Sequence, residues 1–313
     1  MKKLFFTHLL FCLSISIYAQ IESPEYFYKE SKKYKREGNY QQAVQSLSDA
    51  IRLAPSNALY FAERGVLYFG LDKAKKARQD FDKSIAVDAK DPIGFTQRAE
   101  YFNLLRLPDS SLADCEKAIG LATIDLQKGK VMIAKANAYK LKSDTTEALK
   151  NYMEGLKLDT LNKEGFKNYA SLLQSAGNEK EAIVQLKKAL ALDAFDIANY
   201  NNLGYLSIKT GLFQEALPYF DQVLKFDAQE PYALSNKGLA LYKLENYTEA
   251  LKVLNKSISN DPENAFAYRN RALVYIALNK NEPACRDLKK AKKLGYTSDY
   301  EINLNDLLAK YCQ

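Results

Sequence analysis

At 313 residues, with 47% apolar and 27% charged side chains and eight prolines, the chain is too apolar for a disordered tail and is compatible with helices throughout. Its formal charge of +7 is spread over the whole length and does not by itself indicate a nucleic-acid binder. Length alone suggests two domains, but that prior fails for a repeating sequence, because a repeat array grows without a single central core.

The first residues differ from the rest. Lys2 and Lys3 precede an almost uncharged apolar run from Leu4 to Tyr18, and Ile17-Tyr18-Ala19 offers small or aliphatic groups before a cut. The pattern predicts a signal peptide over residues 1–19, cleaved near Ala19, and a mature chain exported to the periplasm or the cell surface. The alternative is an uncleaved N-terminal anchor, although about fifteen apolar residues fall short of the roughly twenty that span a hydrocarbon core. No stable membrane span is therefore expected in the mature form. Leu9-Leu10-Phe11 before Cys12 does not resemble the small-residue box that leads into a lipid-modified cysteine.

Cleavage has a chemical consequence. It removes His8, the only histidine, and with it the side chain most used for proton transfer near neutral pH and for transition-metal ligation. Cys115, Cys285 and Cys312 remain, with no CxxC spacing, so neither a thiolate zinc site nor a thioredoxin-like motif is written here. No metal and no cofactor are expected. Loss of Lys2 and Lys3 lowers the net charge from +7 to +5.

From residue 24 onward the sequence repeats. Segments starting at residues 24, 58, 92, 129, 163, 197, 231 and 265 carry a small residue at their eighth position: Ser31, Gly65, Ala99, Ala136, Ala170, Gly204, Gly238 and Ala272. The twentieth position is again small, reading Ala43, Ala77, Ser111, Ala148, Ala182, Ala216, Ala250 and Ala284. One such column would arise by chance at odds on the order of 1 in 10⁵. Two of them, twelve residues apart, point to pairs of antiparallel helices whose backbones approach closely while larger neighbours fill the space around. Those neighbours stand at position four (Phe27, Phe61, Phe95, Met132, Phe166, Tyr200, Leu234, Tyr268) and position twenty-four (Leu47, Phe81, Cys115, Tyr152, Leu186, Phe220, Leu254, Leu288). Gly38-Asn39, Gly177-Asn178 and Gly211 punctuate the hairpins, and Ala54-Pro55-Ser56-Asn57 and Asp261-Pro262-Glu263-Asn264 separate one unit from the next.

These residues resemble the tetratricopeptide repeat family, in its exported bacterial form. Tyr200-Asn-Asn-Leu-Gly-Tyr205, Gly211-Leu-Phe-Gln-Glu-Ala216 and Phe220 look like one standard unit, and Asp261-Pro-Glu-Asn264 with Phe266-Ala-Tyr268 looks like its inter-repeat junction. The resemblance covers residues 24–298 and implies an all-α, right-handed superhelical solenoid of eight helix-turn-helix hairpins, with the solenoid domain taken as 20–298. Two departures stand out. The third unit has Ser111 and Cys115 in core columns and Pro108 in its turn. Three extra residues around Leu126-Gln127-Lys128 make 119–128 either a bend in the coil or simply the start of a longer first helix in unit four.

Past the last unit, residues 299–313 read as a capping helix. Ser298 with Glu301 is a capping-box pair, and Tyr300, Leu304, Leu307, Leu308 and Tyr311 share one stripe that would cover the final hairpin. If the cap runs antiparallel to the preceding helix, Cys312 nears Cys285, and a disulfide between them is possible in an exported protein.

The resemblance further implies that first helices line a groove for a bound peptide, through positions two, five, nine, twelve and thirteen of each unit. Units seven and eight place Tyr232, Leu239, Tyr242, Phe266, Arg269, Leu273 and Ile276 there, a composition expected of an interface hot spot. The competing reading is that these side chains pack among themselves on the inner curve. Lys29, Lys32, Lys35 and Arg36 form a second candidate surface, for an acidic partner or a membrane, against the plainer reading of a solvated helix face. The family's clamp for acidic chaperone tails is not carried over: Asn137 and Asn168 fit in part, but Ile133 and Lys167 break it. The functional expectation is a non-enzymatic protein-protein scaffold of the cell envelope that binds no nucleic acid. The alternatives are a glycan-binding module using groove aromatics, and an enzyme working through carboxylates or a Ser/Lys pair. The latter is disfavoured because pairs such as Asp80 and Asp82 point to different faces of a helix.

Overall fold

The structure, a computed structural model, describes residues 23–296 and 303–312. Among them are seventeen helices and no strand. Eight hairpins follow in chain order, α1 (Pro24–Arg36) with α2 (Tyr40–Leu53), α3 (Ala58–Gly70) with α4 (Ala74–Val87), α5 (Pro92–Leu104) with α6 (Pro108–Leu121), α7 (Asp125–Leu141) with α8 (Thr145–Leu158), α9 (Lys163–Ser175) with α10 (Glu179–Leu192), α11 (Ile197–Lys209) with α12 (Phe213–Phe226), α13 (Pro231–Lys243) with α14 (Tyr247–Asn260), and α15 (Ala265–Ala277) with α16 (Asn281–Lys293). A shorter α17 (Leu304–Tyr311) closes the chain. The hairpins group into two compact units, residues 1–160 and 161–313, and within each unit the second helix of a hairpin packs against the first helix of the next.

The starts of the first helices are fixed by chemistry at one recurring position. Ser23, Asn57, Asp91, Asn162, Asp196, Glu230 and Asn264 each accept a backbone N–H of the opening turn on their side-chain oxygen, satisfying donors that a helix start leaves bare. The fourth hairpin departs from this. Its first helix has 17 residues where the others have 13, so Leu126, Gln127 and Lys128 extend the helix, and Gln127 Oε1 accepts from the N–H groups of Thr123 and Ile124 at 3.1 and 3.4 Å.

The turn inside every hairpin passes through the left-handed backbone region at the fifteenth position. Gly38, Gly177 and Gly211 take it at φ of 77–79°, and so do Asp72, Arg106, Ser143, Glu245 and Asn279 at 57–60°. The helices then meet at the small-residue columns. A Cβ placed on Gly65 would sit 2.7 Å from the Phe81 ring, one on Gly204 2.6 Å from Phe220, and one on Gly238 2.5 Å from Leu254. Position eight is therefore small because position twenty-four fills the crossing.

A charged ladder runs alongside this core. Arg64 forks onto Asp80 at 2.8 and 2.9 Å, Arg98 onto Asp114 at 2.7 and 2.8 Å, and Arg271 onto Asp287 at 2.7 and 2.8 Å. In each case the remaining guanidinium nitrogen donates to the preceding hairpin, to Ser48 at 3.0 Å, Asp82 at 2.6 Å and Asn255 at 2.7 Å. The planar fork of arginine suits this double duty, since two donors serve the carboxylate and a third remains.

At the C-terminus, α17 is capped by Asn303, which accepts from Asn305 N–H at 2.9 Å, while the Ser298 and Glu301 pair lies outside the described residues. Leu304 and Leu307 are buried, and Cys312 is joined to Cys285 with Cα atoms 5.1 Å apart.

Candidate functional site

The two surfaces singled out in the sequence have different fates. In the C-terminal unit, Leu239, Arg269 and Leu273 are each only 3% exposed, so they are core and not an open docking wall, which corrects the expectation for these three. The first helices of the last two hairpins pack directly on each other here. Leu239 and Leu273 share one apolar cluster with Leu304 and Leu307, against which Tyr242, Ile276, Leu308 and Tyr311 also pack. Burial, with Tyr247 and Tyr311 nearby, raises the Tyr242 hydroxyl above its ordinary range. Phe266 meets the Tyr296 ring edge-on at 5.2 Å, and Arg269 lies 5.9 Å from the same ring while donating to Asn270 Oδ1 at 3.1 Å. Of the seven residues only Tyr232, at 48%, is well exposed. An amphipathic helix must bury its apolar stripe, and the stripe of α17 does so in the same cluster as this wall.

The N-terminal unit behaves otherwise. Lys29, Lys32, Lys35 and Arg36 project from α1 and, with Glu63 from α3, line an open cavity of about 610 Å³. Their spacing places them on one side of the helix. Lys35 Nζ approaches Glu63 Oε2 at 3.5 Å, a long contact, and Lys32 Nζ stands 4.5 Å from the centre of the Tyr28 ring. The Tyr28 hydroxyl, acting as hydrogen-bond partner, raises the Lys32 ammonium further above neutrality, against a smaller burial penalty. Among the described residues Lys29, Lys32 and Arg36 take part in no ion pair. Deeper in the same unit Glu100 is pushed up to about 7 by burial, with Lys130 and Lys35 opposing the shift and Asp159 and Glu63 adding to it. Glu63 and Glu100 come from later repeats and were not singled out by the sequence.

Other chemistry-bearing groups are occupied or insulated. Asp80 and Asp82 are held by Arg64 and by Arg78 and Arg98. Burial pushes the Cys115 thiol up to about 12, far from a reactive thiolate. Among the described residues no group of three or more His, Cys, Asp or Glu could hold a metal ion, and no helix is long and apolar enough to cross a membrane. Lys167 Nζ bonds Asp196 Oδ2 at 2.8 Å, and Asn137 accepts from the Tyr152 hydroxyl, so neither is held ready for a chaperone tail.

Comparison with known proteins agrees with this geometry. The tetratricopeptide repeat family matches residues 28–92, 201–265 and 235–284. The chain is 25% identical over 114 residues to a DnaJ homolog subfamily C member 7 homolog of Schizosaccharomyces pombe, covering 35% of this chain and 24% of that protein. It is 33% identical over 93 residues to human tetratricopeptide repeat protein 13, covering 30% and 11% respectively. The matches thus span a quarter or less of these curated relatives. Among solved structures, YrrB, a tetratricopeptide protein with an unusual peptide-binding site, aligns at a TM-score of 0.54 with 25% identity, over 60% of this chain and 95% of that one.

Proposed function

Since this chain belongs to the tetratricopeptide repeat family, whose members bind protein partners, we propose that it is an exported, non-enzymatic scaffold that holds a partner protein against the first helices of its hairpins. The observation that carries this reading is the contrast between the two units. The apolar wall of the C-terminal unit is largely taken into the protein's own core, whereas the cavity along α1 presents charged side chains that the described residues leave largely unneutralised. YrrB, with its peptide-binding site on the same type of hairpin array, supports a peptide-like occupant.

The envelope location rests on the apolar leader over residues 1–19, and the Cys285–Cys312 disulfide supports an oxidising compartment. Two measurements test the proposal. Fractionation of cells expressing the full chain should recover it outside the cytoplasm, shortened at its N-terminus. A photoreactive residue at Tyr28 should crosslink to a defined protein that the same residue at Lys256, exposed on α14, does not capture. Cytoplasmic recovery of the uncut chain would refute the location, and identical capture from both positions would refute the binding face.

A further inference from the structure

The cavity on α1 carries an inference about what the partner looks like, and it rests on the scaffold reading above. Lys29, Lys32, Lys35 and Arg36 sit at three- and four-residue spacings on one helix, an arrangement of like charges that repels itself unless an anion is supplied. Several cations elsewhere on the hairpins have such partners at short range, among them Lys135 with Glu116 at 2.5 Å, Lys163 with Asp193 at 2.6 Å, Lys209 with Glu179 at 2.8 Å and Lys237 with Asp221 at 2.6 Å; what sets α1 apart is that four of its cations line one cavity. On α1 the one ion pair among the described residues is Lys35 with Glu63, at 3.5 Å. About 610 Å³ lies within the range of roughly 300–1,000 Å³ typical of ligand-holding clefts.

We propose that the cavity lined by Lys29, Lys32, Lys35 and Arg36 is the docking site for an acidic segment of a partner protein, a short run of consecutive Asp or Glu side chains. A peptide fits this site better than a bilayer. The cations line one side of an open recess, and the second hairpin adds only the carboxylate of Glu63. Glu63 on the same lining would face any negatively charged membrane, yet it can pair with Lys35 while a chain of carboxylates engages the other three cations. The half-buried ring of Tyr28, 4.5 Å from Lys32 Nζ, gives the aliphatic parts of such a segment a surface to lie on.

The test uses the full exported chain and fluorescently labelled octapeptides of glutamate, of lysine and of alternating glycine and serine. Binding of the glutamate peptide alone is expected, weakening steeply with added salt. The pair Lys32→Glu and Lys35→Glu should lower its affinity by about tenfold or more, Glu63→Gln should raise it, and Lys256→Glu on α14 should leave it unchanged. Should the doubly reversed protein lose its helical spectrum, Lys32→Gln with Lys35→Gln gives the same comparison without added repulsion. Equal binding of all three peptides, or indifference to both double substitutions, overturns the proposal. So does binding to phosphatidylglycerol vesicles that depends on Lys32 and Lys35 when the glutamate peptide fails to compete. The failures are separable: a protein crosslinked through Tyr28 as before, but released by none of these substitutions, refutes the acidic segment and spares the scaffold.

Discussion

Arg98 and Asp114 face each other sixteen residues apart, with Nε donating to Oδ2 at 2.7 Å and Nη2 to Oδ1 at 2.8 Å, while Nη1 of the same arginine reaches back 2.6 Å to Asp82 of the preceding hairpin. One side chain thus ties the two helices of its own repeat and the repeat before it. The hydrogen bond to Asp114, ahead of the opposing burial penalty, holds the guanidinium well above its ordinary range, and Asp114 is nearly buried. Replacing Arg98 by alanine leaves that carboxylate stranded in low dielectric. The expected loss is about 3 kcal/mol, whereas Asp82→Ala, at the half-exposed end, should cost under about 1 kcal/mol. Because repeat arrays open locally, hydrogen exchange in α5 and α6 is the measurement. Equal protection in both variants would show that the fork contributes nothing beyond a surface pair.

The packing of the small-residue columns makes a second expectation quantitative. Gly204 lies against the far end of the Phe220 ring with no room for even one more carbon, since an added Cβ would approach the ring to 2.6 Å. Gly204→Leu should therefore destabilise the sixth hairpin by about 1–3 kcal/mol, even though leucine is the better helix former. A denaturant midpoint that stays put in Gly204→Leu would mean that the ring yields freely.

How much of this was legible in the sequence follows from which interactions are local. The hairpin architecture could be read because small side chains at two fixed columns are a direct imprint of helices in contact, as at Gly204 and Phe220. The charged ladder went unread although Arg98 and Asp114 stand in plain view, because a charge on a helix ordinarily means a solvated face. The apolar wall was misjudged for a different reason. Leu239 and Leu273 do sit on first helices, but they are buried where those helices pack on each other, in one apolar cluster with residues of α17 that lie more than thirty positions past Leu273. Likewise the basic run on α1 was visible, while Glu63 and Glu100, which complete its surroundings, come from the second and third repeats.

The turns show the same limit and give a third prediction. Glycines at 38, 177 and 211 announced their left-handed conformation, but Glu245 adopts it too, at φ 60°, because the two helices it joins demand it. A side chain there is strained by roughly 1–2 kcal/mol relative to glycine, partly offset by the greater freedom glycine has when unfolded. Glu245→Gly should stabilise the seventh hairpin by about 0.5–1 kcal/mol, and Asn279→Gly by less, since asparagine tolerates the region. The check is the thermal midpoint of each variant. A fall in Glu245→Gly would mean that the unfolded-state entropy outweighs the strain.

Glu100 supplies the pH dependence. Burial pushes its folded-state value up to about 7 from the usual 4.5, the opposing attraction of Lys130 and Lys35 being insufficient to restore it. Below about 4.5 the carboxyl is protonated whether the chain is folded or not, and it contributes no pH dependence. Between that point and about 7 the unfolded chain releases the proton first, so the folded state binds more protons and loses stability as pH rises. Above about 7 the penalty is complete, on the order of 3 kcal/mol from the size of the shift. Glu100→Gln cannot ionise and escapes it. The variant and the parent should melt together near about pH 4.5, and the variant should melt progressively higher as pH climbs, levelling off at about pH 8. Parallel melting curves across that window would mean that Glu100 is hydrated as well in the folded chain as in the unfolded one, with Lys130 and Lys35 sufficient to keep it charged.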